Sequence, residues 1–202
     1  MRYGLVIDLK KCVGCYACVM ACKAENFVPR NIFWNKVFVK EEGKYPDARI
    51  TYIPTNCMHC KNPPCVKACP VPGATFKRAD GIVDMNYDKC IGCRRCEPAC
   101  PYGVRSFVSA IEPYNPKFGF TPYEKMGLTK HKAKKSEKCL FCSHLLAEGK
   151  KPACVTTCPG YARYVGDLDD PKSEVSQLIA TRKGYQMQKE KGTDPSVYYL
   201  AP

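Results

Sequence analysis

The sequence predicts an α+β fold in which two small modules are held together by cysteine chemistry rather than by one large apolar core. Three observations support this fold class. The 202 residues include sixteen cysteines, and all of them fall into four groups of four. Between the groups lie short runs rich in Val, Ile, Phe and Tyr, which are typical of strands. Seventeen prolines and fourteen glycines interrupt these runs and predict many loops.

The four cysteine groups have the spacing of iron–sulfur ligands. Two of them read C-x2-C-x2-C-x3-C, the run with which bacterial ferredoxins bind a [4Fe-4S] cluster, and three end in Cys-Pro. The fourth cysteine of such a run ligates the other cluster of a pair. A helical turn explains how, because residues i and i+4 share a face about 6 Å apart along the axis. The groups are Cys12-Cys15-Cys18-Cys22, Cys57-Cys60-Cys65-Cys69, Cys90-Cys93-Cys96-Cys100 and Cys139-Cys142-Cys154-Cys158.

Cross-ligation requires that the groups work in pairs. Only twenty residues separate the second group from the third, and they read as a hairpin around Asp80-Gly81. We therefore predict that residues 50–110 form an inner two-cluster module. The first and fourth groups then pair, so residues 1–49 and 111–202 form an outer module. The predicted fold is two ferredoxin-like 2[4Fe-4S] modules related by pseudo-two-fold symmetry, with an inserted hairpin and loops.

Four [4Fe-4S] clusters follow from this pairing. The spacing argument is strong for the inner module and weaker for the outer one, where an insertion between Cys142 and Cys154 breaks the regular run. The predicted ligand sets are Cys12, Cys15, Cys18 and Cys158 for cluster 1; Cys57, Cys60, Cys65 and Cys100 for cluster 2; Cys90, Cys93, Cys96 and Cys69 for cluster 3; and Cys139, Cys142, Cys154 and Cys22 for cluster 4.

Zinc and disulfides are the other uses for so many cysteines. A zinc ribbon binds each ion with two C-x2-C pairs and has no use for a third cysteine at the next step. Disulfides need an oxidising compartment, whereas residues 1–8 show no apolar region followed by a cleavage site. Cysteines three apart are also poorly placed to bond each other. A zinc-stabilised binding protein remains the alternative from a different class.

The formal charge of +13 ordinarily indicates a nucleic-acid or anionic partner. Four clusters of roughly −2 each cancel about eight of these charges and leave roughly +5, so we expect no nucleic-acid partner. No apolar run approaches eighteen residues, which predicts no direct membrane span. Five basic residues beside or within the cysteine groups can balance cluster charge: Lys11, Lys89, Lys138, Arg94 and Arg95.

The remaining elements are predicted from local patterns. Strand-like runs cover residues 2–9, an inserted hairpin of 32–40 with 48–54, two short strands at 104–109 and 161–166, and a strand or extended clamp at 197–200. Residues 111–136 are predicted as an irregular surface excursion. A C-terminal helix is expected after an Asp170 cap, with Val175, Leu178 and Ile179 as its apolar stripe. His59 and His144 are either hydrogen-bond partners of a cluster or ordinary loop histidines.

Five segments of the chain together resemble a known family. The resemblance is to the four-cluster iron–sulfur subunit of the dimethyl sulfoxide reductase family of molybdopterin oxidoreductases, and it extends over essentially the whole sequence. It is closest to the subunits of polysulfide, thiosulfate, tetrathionate and arsenate respiratory reductases. Two departures are Lys23, where proline usually follows the cysteine, and a turn at residues 70–73 that is one residue longer. The segments are Cys100–Gly103, Lys138–His144, Pro152–Pro159, Gly166–Pro171 and Gly192–Tyr199.

The resemblance implies an electron-transfer subunit with no catalytic site of its own. Such a subunit relays electrons between a large molybdopterin (bis-MGD) catalytic subunit and a membrane quinol-interacting subunit or another redox carrier. The implied process is anaerobic respiration of a sulfur- or arsenic-type acceptor. An iron–sulfur subunit of a formate dehydrogenase or hydrogenase is the alternative. The implied location is the extracytoplasmic (periplasmic) face of the membrane, reached as a co-exported passenger, with the cytoplasm as the alternative.

Overall fold

A computed structural model describes all residues from 1 to 202. The fold mixes short helices with several small sheets. Its strands are β1 Tyr3–Asp8, β2 Asn35–Glu42, β3 Arg49–Asn56, β4 Thr75–Lys77, β5 Val83–Met85, β6 Ser106–Val108, β7 Lys135–Glu137, β8 Arg163–Asp167 and β9 Val197–Leu200. Its helices are α1 Ala17–Asn26, α2 Pro64–Lys67, α3 Pro122–Leu128, α4 Ser143–Ala147, α5 Ala153–Thr156 and α6 Glu174–Thr181, and a 3-10 turn covers Lys189–Lys191.

A three-stranded sheet of order β8-β1-β9 brings the two ends of the chain together. Strand β1 lies in the middle, antiparallel to β8 and parallel to β9, and is buried from its second residue onward. Its side chains alternate between faces. Leu5 and Ile7 enter the largest core cluster, whereas Val6 packs on the opposite face with Val175 of α6 and Leu200. The strand predicted at residues 2–9 and the one at 197–200 are therefore confirmed.

The remaining strands form three two-stranded antiparallel sheets. The inserted hairpin is β2–β3, and its outer half is exposed to solvent. The β4–β5 hairpin turns at Asp80-Gly81, where Gly81 has a φ of +84°, a conformation that glycine adopts without strain. Strand β6 pairs with β7, which joins the inner predicted module to the outer one.

The largest core cluster also crosses the predicted module boundary. It combines Leu5 and Tyr199 of the outer segments with Met58 and Ile82 of residues 50–110. The Tyr199 hydroxyl donates a hydrogen bond to the buried carbonyl of Pro54 at 2.9 Å. The two segments thus share one interior, and the division at residues 49 and 110 and the pseudo-two-fold relation both stay predictions.

Two local predictions are corrected by the structure. Residues 111–136 are not wholly irregular, because they contain helix α3. This helix begins with a capping box in which the Thr121 hydroxyl accepts from the Glu124 N–H and Glu124 accepts from the Thr121 N–H. Helix α6 is capped by Ser173 rather than by Asp170, whose carboxylate accepts from the Lys172 N–H in the preceding turn.

No helix has both the length and the apolar character that crossing a lipid bilayer requires.

Candidate metal centres

The cysteine loops begin with a repeated backbone geometry. In the first and third groups a glycine between the first two cysteines takes a left-handed conformation, with φ of +66° at Gly14 and +71° at Gly92. A side chain at Gly14 would overlap the ring of Tyr52, and one at Gly92 would overlap the Lys134 carbonyl. The residue after the second cysteine, Tyr16 or Arg94, is also left-handed, with φ of 61° in both. These turns allow consecutive cysteines of one short loop to line the same cavity.

None of the sixteen cysteines is in a disulfide, and their thiols gather in four places. Three of these places are cavities. The first is lined by Cys12, Cys15, Cys18 and Cys158, the second by Cys22, Cys139, Cys142 and Cys154, and the third by Cys69, Cys90, Cys93 and Cys96. In the fourth place the thiols of Cys57, Cys65 and Cys100 all lie close enough to Cys60 for their charges to act on it.

Short helices direct neighbouring cysteines into different places. On α1 Cys18 lines the first cavity, and Cys22, one turn later, lines the second. Helix α5, which packs against α1, holds Cys154 at the second cavity, and Cys158 follows at the first. Helix α2 carries Cys65 of the second group as its second residue. The third group is the exception, since residues 95–99 form turns instead of a helix.

The four places form a row. Cys154 of the second cavity interacts electrostatically with Cys18 of the first. Cys139, also of the second cavity, interacts with Cys57. Cys65 in turn packs around Val83 together with Cys96 of the third cavity. The two exposed cysteines, Cys15 and Cys93, belong to the first and third cavities, which are the ends of this row.

The electrostatics of the thiols fit a positively charged multinuclear group. Burial, reinforced by neighbouring thiols, raises the pKa of Cys22 and Cys139 well above the usual thiol value and that of Cys60 to about 12. Thiolates at these positions therefore need added positive charge, which iron would supply. No three His, Cys, Asp or Glu side chains converge closely enough to hold a single metal ion. The cysteines thus line cavities and do not form a site for a single ion.

Buried cations near the thiols differ from those expected. Of the five basic residues predicted to balance cluster charge, Lys138 is fully buried and donates hydrogen bonds to the carbonyls of Val83 and Cys139. Lys11, Lys89, Arg94 and Arg95 are exposed or half-exposed on the surface. Three other cations are also buried, namely Lys23, Arg105 and Arg163, and the sequence analysis assigned the two arginines no role. The available signal was the repeated run Cys-Pro-x-x-x-Arg at residues 100–105 and 158–163.

The two histidines beside cysteine loops have different environments. His59 is completely buried, accepts a hydrogen bond from the Val83 N–H through Nδ1, and packs edge-on against Phe141. Burial, with help from Lys138 and Arg105, lowers its pKa well below the usual value, so the ring is neutral. His144 is half-exposed and contacts the Glu25 carboxylate at 2.8 Å. The side-chain hydrogen bonds of both histidines are thus made to groups other than thiols.

One side-chain amide does reach two thiols of the second cavity. The Nδ2 atom of Asn26, at the last residue of α1, lies 3.9 Å from Cys22 Sγ and 3.7 Å from Cys142 Sγ. The pKa of Cys142 is raised by burial, and hydrogen bonds from the Ala153 N–H and from Asn26 partly oppose that shift. Donors of this kind are among the features that set the potential of an iron–sulfur cluster.

Comparisons with known proteins agree with this chemistry. Family models described as a 4Fe-4S dicluster domain match residues 11–74, 48–112 and 108–168. A selenate reductase subunit of Mesobacillus selenatarsenatis is 44% identical over 211 residues, which cover 99% of this chain and 72% of that protein. The arsenate respiratory reductase iron-sulfur subunit of Shewanella sp. strain ANA-3 is 44% identical over 99% of this chain and 96% of its own. A sulfite dehydrogenase subunit of Allochromatium vinosum is 39% identical over 98% of this chain and 82% of its own.

Proposed function

Because the chain belongs to the family of iron–sulfur subunits of dimethyl sulfoxide reductase-type molybdopterin oxidoreductases, we propose that it relays electrons between a molybdopterin catalytic subunit and a second redox partner. The chain carries four [4Fe-4S] clusters. Each cluster exchanges single electrons when bound. The protein supplies thiolate ligands, fixed spacing between clusters, and an interior that keeps solvent from the inner ones.

The ligand sets proposed for these clusters are the cross-ligated ones numbered above. Their support is that each set lines a single cavity or, for cluster 2, interacts mutually through its charges. The i and i+4 cysteines of α1 are separated by only one helical turn, about 6 Å along the axis, so that helix fixes the spacing of two neighbouring clusters. Asn26, beside Cys22 of the cluster 4 set, and His59, in the loop between Cys57 and Cys60 of the cluster 2 set, contribute to the polarity around those two clusters.

The row of cysteine sets is the observation that carries the proposed function. It supports an electron path that runs through cluster 1, cluster 4, cluster 2 and cluster 3, with an exposed cysteine at each end and none between. We place one partner at the cluster 1 end and the other at the cluster 3 end. The first end exposes Val13 beside Cys15, and the second exposes Ile91 beside Cys93, with 65% and 66% of those residues accessible.

The relatives bear on the partners and the acceptor. Their names specify subunits of selenate, arsenate and tetrathionate reductases and of a sulfite dehydrogenase. We propose that this chain serves the anaerobic respiration of a sulfur- or arsenic-type acceptor, with a quinol-linked membrane subunit as the second partner. We further propose that it works on the extracytoplasmic side of the membrane, as a passenger exported with the catalytic subunit; cell fractionation that finds it only in the cytoplasm would exclude this location.

A matched pair of surface variants tests the proposal. Val13→Glu and Ile91→Glu each place a charge at one end of the row without replacing a ligand. Purified through a tag on this chain, one variant is expected to lose the molybdenum-containing subunit and the other to retain it but lose electron exchange with the second partner. Tyr45→Glu, on the 94% exposed tip of the β2–β3 hairpin, is the control and keeps both. If both end variants keep their clusters, the molybdenum subunit and full electron exchange, the proposed path is wrong.

A further inference from the structure

Two buried arginines occupy equivalent places in the cysteine sequence. Arg105 and Arg163 each follow the fourth cysteine of a group by five residues, and their accessible fractions are only 6% and 4%. Neither forms an ion pair with a carboxylate, whereas four other arginines do: Arg2, Arg78, Arg94 and Arg182. A buried guanidinium without a counter-charge is costly, so some other negative charge must accompany these two.

The contacts of Arg163 leave part of its guanidinium free. Its Nη2 donates to Asn56 Oδ1 at 2.7 Å, whereas Nε and Nη1 are buried without a hydrogen-bond partner. The groups whose negative charge acts on it most are the thiols of Cys154 and Cys18. These two cysteines line different cavities, those of clusters 4 and 1. Arg163 itself lines the cavity of the cluster 1 set.

Arg105 has the same relation to the other two clusters. Its Nη2 donates to Thr75 Oγ1 at 2.7 Å and its Nη1 contacts Met85 Sδ at 3.1 Å, while Nε is buried and unpaired. Its negative neighbours are Cys65, of the cluster 2 set, and Cys96, of the cluster 3 set. Thr75 and Met85, the two partners of its guanidinium, both line the cavity of the cluster 3 set.

From this geometry we propose that Arg163 and Arg105 are charge-bridging residues that set the reduction potentials of two clusters each: Arg163 those of clusters 1 and 4, and Arg105 those of clusters 2 and 3. The inference rests on the four-cluster assignment above. A reduced cluster carries one more negative charge than an oxidised one. A fixed positive charge between two clusters attracts the added electron on each, so it stabilises both in the reduced form and offsets part of the repulsion between them.

The experiment is a potentiometric titration of the purified holoprotein, followed by cluster-resolved electron paramagnetic resonance. In Arg163→Gln the ratio of reduced to oxidised forms of clusters 1 and 4, at a fixed potential, is expected to fall about tenfold or more, which for one electron is about 59 mV. Clusters 2 and 3 are expected to keep their potentials. Arg105→Gln should give the mirror result, so each variant is the control for the other.

Conservative variants separate charge from shape. Arg163→Lys keeps one positive charge and should return the potentials most of the way to those of the unaltered protein, while Arg163→Met, neutral and of similar length, should behave like Arg163→Gln. If the neutral variants lose clusters 1 and 4 but the lysine variant retains them, the need for charge is supported. If the lysine variant also loses them, the site needs the shape of arginine and the inference is wrong.

The outcome also separates this inference from the proposed function. Variants that hold about sixteen irons and transfer electrons, but show unchanged potentials, overturn the role of the arginines and leave the electron relay intact. Equal shifts of all four clusters would overturn it as well, because a local charge between two clusters cannot act that way. An unaltered protein that binds no iron–sulfur clusters would instead refute the function on which the inference rests.

Discussion

Cross-ligation predicts which pairs of cysteine substitutions act on the same cluster. Cys22 lies in the first sequence group, but it lines a cavity with Cys142 and not with Cys15. Cys22→Ser combined with Cys142→Ser should therefore damage one cluster. Cys22→Ser combined with Cys15→Ser should damage two. Both double variants contain the same helix α1 substitution, so any general weakening of that helix is matched between them.

The size of the effect follows from the cluster count. Four [4Fe-4S] clusters hold about sixteen irons per chain. If a serine variant loses its whole cluster, the Cys22/Cys142 variant retains about twelve irons and the Cys22/Cys15 variant about eight. If serine leaves a partly assembled cluster, the absolute numbers rise, but the first double variant still loses at most about four irons, those of one cluster.

Iron and acid-labile sulfide are measured on protein purified without oxygen, and electron paramagnetic resonance identifies the missing cluster. A scheme in which each sequence group binds its own cluster predicts the reverse order, about eight irons for Cys22/Cys142 and about twelve for Cys22/Cys15. That result would refute the reasoning from the helix and the cavities. Cys18→Ser, one turn away on α1, is the single-variant control and should affect cluster 1 instead of cluster 4.

Three further predictions concern the fold. Tyr199→Phe removes the hydroxyl that satisfies the buried Pro54 carbonyl and should lower the free energy of unfolding by about 1–3 kcal/mol, measured as an earlier denaturant midpoint; an unchanged midpoint would contradict the importance of that bond. Thr121→Ala removes the cap of α3 and should cost about 1 kcal/mol, seen as roughly fivefold faster hydrogen exchange confined to that helix, whereas uniform exchange would argue against a local effect. Removal of iron with a chelator should abolish most secondary structure in circular dichroism, because the clusters hold the small core together, and a folded iron-free chain would disprove this.

The ligand spacing and the central strands were accessible from the sequence because both are set by local rules. A spacing of three residues lets a short loop present several cysteines to one cluster, and a spacing of four places two cysteines on the same face of a helix. Neither spacing depends on distant parts of the chain. Strand β1 was recognisable because a strand buried on both faces reads as a continuous apolar run. From four residues alone, strand β9 cannot be distinguished from an extended clamp, because its partner strand β1 lies at the other end of the chain.

Other features depended on competition between local signals or on distant contacts. Asp170 and Ser173 are both good N-cap residues three positions apart, and only the structure shows that Ser173 takes that role. The capping box of α3 was hidden among prolines and glycines that indicate a loop. Arg163 is buried by contacts such as the one with Asn56, 107 residues away in sequence, so its position between two cysteine sets could not be read from its neighbours.

The central claim is that this chain is a four-cluster electron relay, and the most direct test is to count the electrons it accepts. An anaerobic titration of the oxidised holoprotein with dithionite, monitored by the absorbance at about 400 nm, is expected to consume about four electrons per chain, one for each [4Fe-4S] cluster. Bleaching of a brown protein at that stoichiometry would agree with the account. A colourless protein that contains zinc and takes up no electrons would contradict it.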